Sequence, residues 1–153
     1  MIPFFIIVQC VLLFFMLFHD WISVSPLNDV ATLKKRDGVS GMLRSSAING
    51  FTVLVPLIVT LMYVRSAYTP LFALIILVIF YSTVTLGTIL SWWVPYFLGS
   101  SKKHKQAFSK FKNTHHFLPA RGTNVIPNTL HVILHLQVWT CLGISVYLLA
   151  YFL

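Results

Sequence analysis

Residues 2–24, 47–64, 69–97 and 127–153 are apolar almost throughout. Each run meets the roughly 17–25 residues that a helix needs to cross the hydrocarbon of a bilayer. No other feature constrains the fold as much. In lipid every backbone N–H and C=O must find a partner within the protein, and a single segment does that as an α-helix. Composition agrees: 58% of the 153 residues are hydrophobic and only 9% charged, against about a quarter charged in soluble domains. The expected fold is an all-α integral membrane protein, a four-transmembrane-helix bundle forming one domain over residues 1–153.

The first run has no Lys or Arg ahead of it, and its best cleavage candidate, Ser23-Val24-Ser25, is followed by Pro26. It therefore reads as a retained span and not as a signal peptide. Pro56 predicts a kink in the second run. Pro70 suits the first turn of the third, and Pro95 marks its far end.

Charge is scarce and one-sided, with eleven Lys and Arg against three Asp and no Glu. Loop 25–46 carries Lys34, Lys35, Arg36 and Arg44, the short second loop carries Arg65, and loop 98–126 carries Lys102, Lys103, Lys105, Lys110, Lys112 and Arg121. The positive-inside rule places loops 25–46 and 98–126 in the cytosol and both termini outside a plasma membrane. Trp92, Trp93 and Tyr96 then fit an aromatic belt at the cytosolic face. The expected partner is a bilayer with anionic headgroups. Nucleic acid is not expected, because the charge is confined to short loops between spans.

In SSKKHKQAFSKFKN, Phe108 and Phe111 share one side while the lysines spread over the other. This predicts a short basic interfacial helix in the third loop. Thr83, Gly87 and Ser91 recur every four residues, a spacing that lets helix backbones approach closely in lipid. Packing within the chain is the first expectation for that stripe; a homo-oligomer or a partner membrane subunit is the other.

Four of the six histidines lie in NTHHFLPARGTNVIPNTLHVILH, residues 113–135. On a helix of about 100° per residue, Asn124, Asn128, His131, His135, Val138, Leu142 and Ser145 form one stripe. His131 and His135 stand one turn apart, so their rings can converge as two imidazole ligands. His19 and Asp20 end the first span and Asn49 begins the second, at a similar depth. The candidate metal set is His131, His135, His19 and Asp20, with His115 and His116 in second rank. Arg121, Asn124, Asn128 and Asn49 are the candidate ligand-binding residues. In FLPARGTNVIPN, Thr123 or Asn124 is placed to cap the fourth span, leaving backbone N–H groups beside Arg121 for an anion.

The inventory excludes more than it selects. The absence of Glu removes a carboxylate-bridged di-iron centre, and six histidines are too few for the histidine boxes of membrane fatty-acid desaturases. Cys10 and Cys141 fall mid-span, where cysteine acts as a small hydrophobe. There is no phosphate loop, no Ser/His/Asp set and no CxxC pair. One divalent metal ion is the first cofactor choice, and haem between His19 and a span-four histidine is the second. The leading expectation is a binding or transport protein with a cytosol-facing pocket for a metal ion or small anion. The alternatives are a single-metal membrane enzyme acting on a lipid-like substrate, and an accessory subunit with no ligand.

Overall fold

The computed structural model describes residues 1–64 and 70–153; Arg65 and the expected start of the third run at Thr69 lie outside them. The described chain is helical, in the order α1 (Ile2–Phe18), α2 (Val30–Val59), α3 (Leu71–Thr88), α4 (Val94–Leu98), α5 (Lys102–Phe108) and α6 (Thr129–Phe152). A π-helical turn, Thr60–Val64, extends α2, and another, Ile89–Trp93, joins α3 to α4 in one continuous rod. Three of these rods, Val30–Val64, Leu71–Leu98 and Thr129–Phe152, are long and apolar enough to cross a membrane, while Ile2–Phe18 is a shorter apolar helix. Large side chains such as Phe51, Ile79 and Leu136 point outward, as lipid in place of water as solvent permits.

α3 packs along α6, and α1 bridges α6 to α2, whereas α2 and α3 touch only weakly. Phe5, Leu12, Leu74, Leu77, Tyr81, Val138 and Cys141 fill the core between α1, α3 and α6. Within it Gln9 Nε2 donates to Tyr81 Oη at 3.0 Å, with both side chains buried. The hydropathy of the first run hid this polar tie.

α1 stops at Phe18, six residues short of the expected boundary at 24, and Asn28 supplies the reason. Its buried amide donates to the carbonyls of His19 and Ile22 and accepts from Val24 N–H, so the chain turns back at once. The segment expected as loop 25–46 is largely helical. Asp29 caps α2, accepting from Thr32 N–H at 3.0 Å and from Thr32 Oγ1–H at 2.7 Å. These bonds hold the Asp29 carboxyl below its ordinary pKa. A lowered folded-state pKa adds stability above the unfolded value and loses it as pH falls through the folded one. Wild type should therefore exceed Asp29→Asn in thermal midpoint at about pH 7, and the gap should shrink as pH falls below the ordinary carboxylate range. A gap independent of pH would show that this cap does not titrate.

α2 bends at Gly38, whose φ of 68° and ψ of 171° separate a short first helix from the long rod. Pro95 does not end the third helix, which runs on to Leu98 and stops at Gly99, with φ 91°. As proline has no N–H, the carbonyl four residues earlier, on Ser91, lacks its helical donor, and the backbone widens into the π-turn there. His104 Nε2 donates to that Ser91 carbonyl at 3.1 Å. The third loop does contain the predicted short helix, α5, followed by the 3-10 turn Ser109–Phe111. Phe108 and Phe111 pack against Trp92, at 4.5 and 5.4 Å between ring centres. Lys110 Nζ reaches Asp37 at 3.2 Å and Arg36 donates to the Ala107 carbonyl. The two connections thus lock together at one end of the bundle, where His115 N–H also donates to the Pro26 carbonyl.

Two expectations need correction. Trp92 and Tyr96, read as belt residues, are buried, and Tyr96 Oη donates to the Pro119 carbonyl at 3.0 Å. Thr83, Gly87 and Ser91 are exposed, and a Cβ added at Gly87 would meet nothing within 4 Å. That stripe makes no tight helix contact within the described chain, because α2 stands off from α3 at this level.

Candidate functional site

The helix ends described above surround a cavity of about 240 Å³ lined by His19, Asp20, Ser45, Asn49, Lys110 and His131, with Ile48 and Phe111 as apolar walls. Four of the residues singled out in the sequence, from α1, α2 and α6, therefore meet. Each arrives by a separate local device. The turn closed by Asn28 sets His19 and Asp20, the bend at Gly38 aims the long rod carrying Asn49, and Asn128 fixes His131.

Asn128 matters most for the geometry. It is buried and forms the N-cap of α6, its Oδ1 accepting from His131 N–H at 3.0 Å. The same Oδ1 lies 2.6 Å from His131 Nδ1, and Asn128 Nδ2 donates to Thr114 Oγ1 at 2.9 Å. As Oδ1 can only accept, His131 Nδ1 is the donor and Nε2 is left as the lone-pair nitrogen. His19 obeys the same logic: its Nδ1 lies 2.9 Å from the Phe15 carbonyl and must donate. His19 Nε2 then faces Asp20 Oδ1 at 3.3 Å. A lone pair against a carboxylate repels, so this contact is favourable when a proton or another cation sits at Nε2. The His19 and His131 rings are edge-on, with centres 6.3 Å apart.

His135 behaves differently from its helical neighbour. It is buried, with Trp92, Trp93 and Trp139 around it at 6.0, 6.1 and 6.4 Å between ring centres, and its Nδ1 has no hydrogen-bond partner. It joins His19, Asn49 and His131 only in a second opening of about 370 Å³, which continues between α2 and α3 past Gly87, Thr88 and Ser91. Among the described residues, no group of three or more His, Cys, Asp or Glu side chains is placed to hold a metal ion. The four-ligand set read from the sequence is thus not assembled as a closed coordination shell.

The remaining candidates lie elsewhere. Arg121 sits over the rings of Tyr96 and Phe97, at 5.3 and 4.9 Å, an arrangement in which the ring faces attract the guanidinium. Asn124 Nδ2 donates to the Tyr96 carbonyl at 3.0 Å, and neither Thr123 nor Asn124 caps α6, since Asn128 holds that position. His115 Nδ1 pairs with Thr129 Oγ1 at 2.7 Å and His116 Nε2 donates to the Phe111 carbonyl at 3.0 Å. Both fasten the connection into α6. Ser45 and Lys110 are pocket residues that the sequence did not single out; the four-residue offset of Ser45 from Asn49 was the available signal. No family model matches the chain, and no curated protein or solved structure shows significant similarity to it.

Proposed function

We propose that this chain is a four-span membrane protein that binds a small cation at its polar end, in a binding or transport role. The observation that carries this reading is the orientation of His19 and His131. Each commits Nδ1–H to a protein acceptor, the arrangement that fixes the tautomer of a metal-binding imidazole and leaves Nε2 to coordinate. Asp20 adds negative charge beside them, and Asn49 and Ser45 add oxygen donors. Two imidazole nitrogens with the other positions left to water make an open site of moderate affinity, which suits uptake and release better than permanent retention.

The connections 19–29 and 99–128 bond to each other at one end, which supports crossings by the α2 rod and the α3–α4 rod between them; the fourth span rests on the apolar run of α1. An even number of crossings is what brings both to the same side. The basic residues at this end, Lys34, Lys35, Arg36 and Arg44 in the first turns of α2 and the lysines of 99–128, favour the cytosol of a plasma membrane, with both termini outside.

Metal analysis of detergent-purified protein tests the proposal. Wild type should take up about one Zn²⁺ per chain and lose it in His19→Ala/His131→Ala, with helicity retained. Arg121→Ala should behave as wild type. Absence of uptake by a folded wild type, or unchanged uptake by the double variant, would refute the site.

A second reading has its own support. The second opening extends the polar pocket sideways between α2 and α3, where a lipid-like substrate could reach His131 from the bilayer. Under that reading the protein is a single-metal membrane enzyme, and a lipid extract incubated with metal-loaded protein would be chemically changed.

A further inference from the structure

A larger cavity, about 450 Å³, lies on the other side of Phe111, between α5 with its 3-10 turn and residues 123–126. We propose that it binds the headgroup of an anionic phospholipid, with phosphatidylglycerol as the probe.

The lining divides into a cationic rim and an apolar floor. Lys105 and Lys112 stand at the rim, while Phe108, Phe111, Val125 and Ile126 supply the apolar part. Lys105 is not loose, because its Nζ donates to Thr123 Oγ1 at 2.8 Å, across the cavity mouth from its own helix. Among the described residues neither lysine has a carboxylate within ion-pair distance, since Lys110 and Arg36 share Asp37, and Asp20 faces His19. Two unneutralised ammonium groups at one opening call for a phosphate. The floor selects the source of that phosphate. Phenyl and branched aliphatic side chains cannot hydrate a free ion, but they can cover the glycerol backbone and the first methylenes of a lipid.

The third feature is His116, which also lines the cavity. With Nε2 donating to the Phe111 carbonyl, Nδ1 is an acceptor, and it is buried without a partner. Buried as it is, that nitrogen offers no surface to a headgroup, and His116 serves the cavity as a wall tied to the 3-10 turn. Charge and apolar cover together point to an anionic lipid. This site stands independently of the cation pocket, with which it shares only the Phe111 wall.

The test uses the full-length protein in a neutral detergent, with phosphatidylglycerol titrated in and bound lipid counted by native mass spectrometry. Phosphatidylcholine and inorganic phosphate serve as comparison ligands. Lys105→Ala/Lys112→Ala should weaken phosphatidylglycerol binding about tenfold or more, and Lys102→Ala/Lys103→Ala, which removes the same charge outside the cavity, less than about threefold. Val125→Trp, which fills the floor and keeps every lysine, should abolish the preference for phosphatidylglycerol over phosphatidylcholine. Equal losses in the two lysine pairs would show diffuse attraction to basic surface. Retained preference in Val125→Trp, binding of phosphatidylcholine as tight as phosphatidylglycerol, or displacement of the lipid by inorganic phosphate would each overturn the proposal.

Discussion

Asn128→Ala should destabilise the protein by about 2–4 kcal/mol, the sum of a lost helix cap and buried partners left unpaired. The buried Asn128 amide serves three groups at once: His131 N–H, His131 Nδ1–H and Thr114 Oγ1. Water cannot replace it without opening the packing around Pro127 and Leu130, which are buried on either side. Asn128→Asp separates the roles. It keeps the oxygen that accepts from both His131 groups but sets a second acceptor against Thr114 Oγ1, whose proton goes to the Phe111 carbonyl, so it should lose less stability than the alanine variant without matching wild type. Thermal unfolding in detergent reads both. The same pair of variants bears on the cation site, because removing an outer hydrogen-bond partner typically weakens metal affinity about 10–100-fold. Asn128→Ala should show that drop and Asn128→Asp should not. If the alanine variant unfolds within about 0.5 kcal/mol of wild type, the cap is not what seats α6.

Gly38→Ala should cost about 1–3 kcal/mol, the strain of a side chain at a backbone conformation that belongs almost wholly to glycine. The φ of 68° with ψ of 171° is not the left-handed helical well that Asn or Asp tolerate, so every L residue is penalised. Relief comes at a price in tertiary contacts, because a helical Gly38 would straighten α2 and carry Asp37 away from Lys110. Amide exchange across residues 102–111 should accordingly quicken by about fivefold or more, although the substitution is far from them in sequence. Gly143→Ala is the control: a Cβ there meets nothing within 4 Å, and the residue lies inside α6. It should be neutral or slightly stabilising. Exchange that stays at the wild-type rate in Gly38→Ala would mean that α5 is held by Trp92 and not by the bend.

The apolar cores of the long rods were legible in the sequence because lipid leaves the backbone one inexpensive arrangement, whereas the polar start of α2, from Val30, carried no such mark. α6 was placed within two residues of its ends, since Pro127 and Asn128 together spell a helix start. The meeting of His19, Asp20, Asn49 and His131 was legible as well, by counting depth along each run. What escaped were choices settled by distant partners. Arg121 reads as an anion donor in the sequence, and the structure sets its guanidinium over the faces of Tyr96 and Phe97. His135 shares a stripe with His131, yet Trp92 and Trp93 of the neighbouring rod join Trp139 of its own helix around it, and no helical wheel shows what the opposite helix presents. Gln9 sat unnoticed in an apolar run because its partner, Tyr81, is 72 residues away. Asn28, which sets the end of α1, had no periodicity to betray it.

The three aspartates complete a separate account of the molecule. Asp20 is engaged with His19, Asp29 with the start of α2, and Asp37 with Arg36 and Lys110. Asp29 and Asp37 fasten joints at one end of the bundle and Asp20 lines the pocket there, and all three are already counted in the formal charge of +8. The counter-ions this protein needs are not encoded in its own chain. Its electrical neutrality comes from ions and groups outside the chain, so ionic strength acts on this fold as if it were part of its sequence.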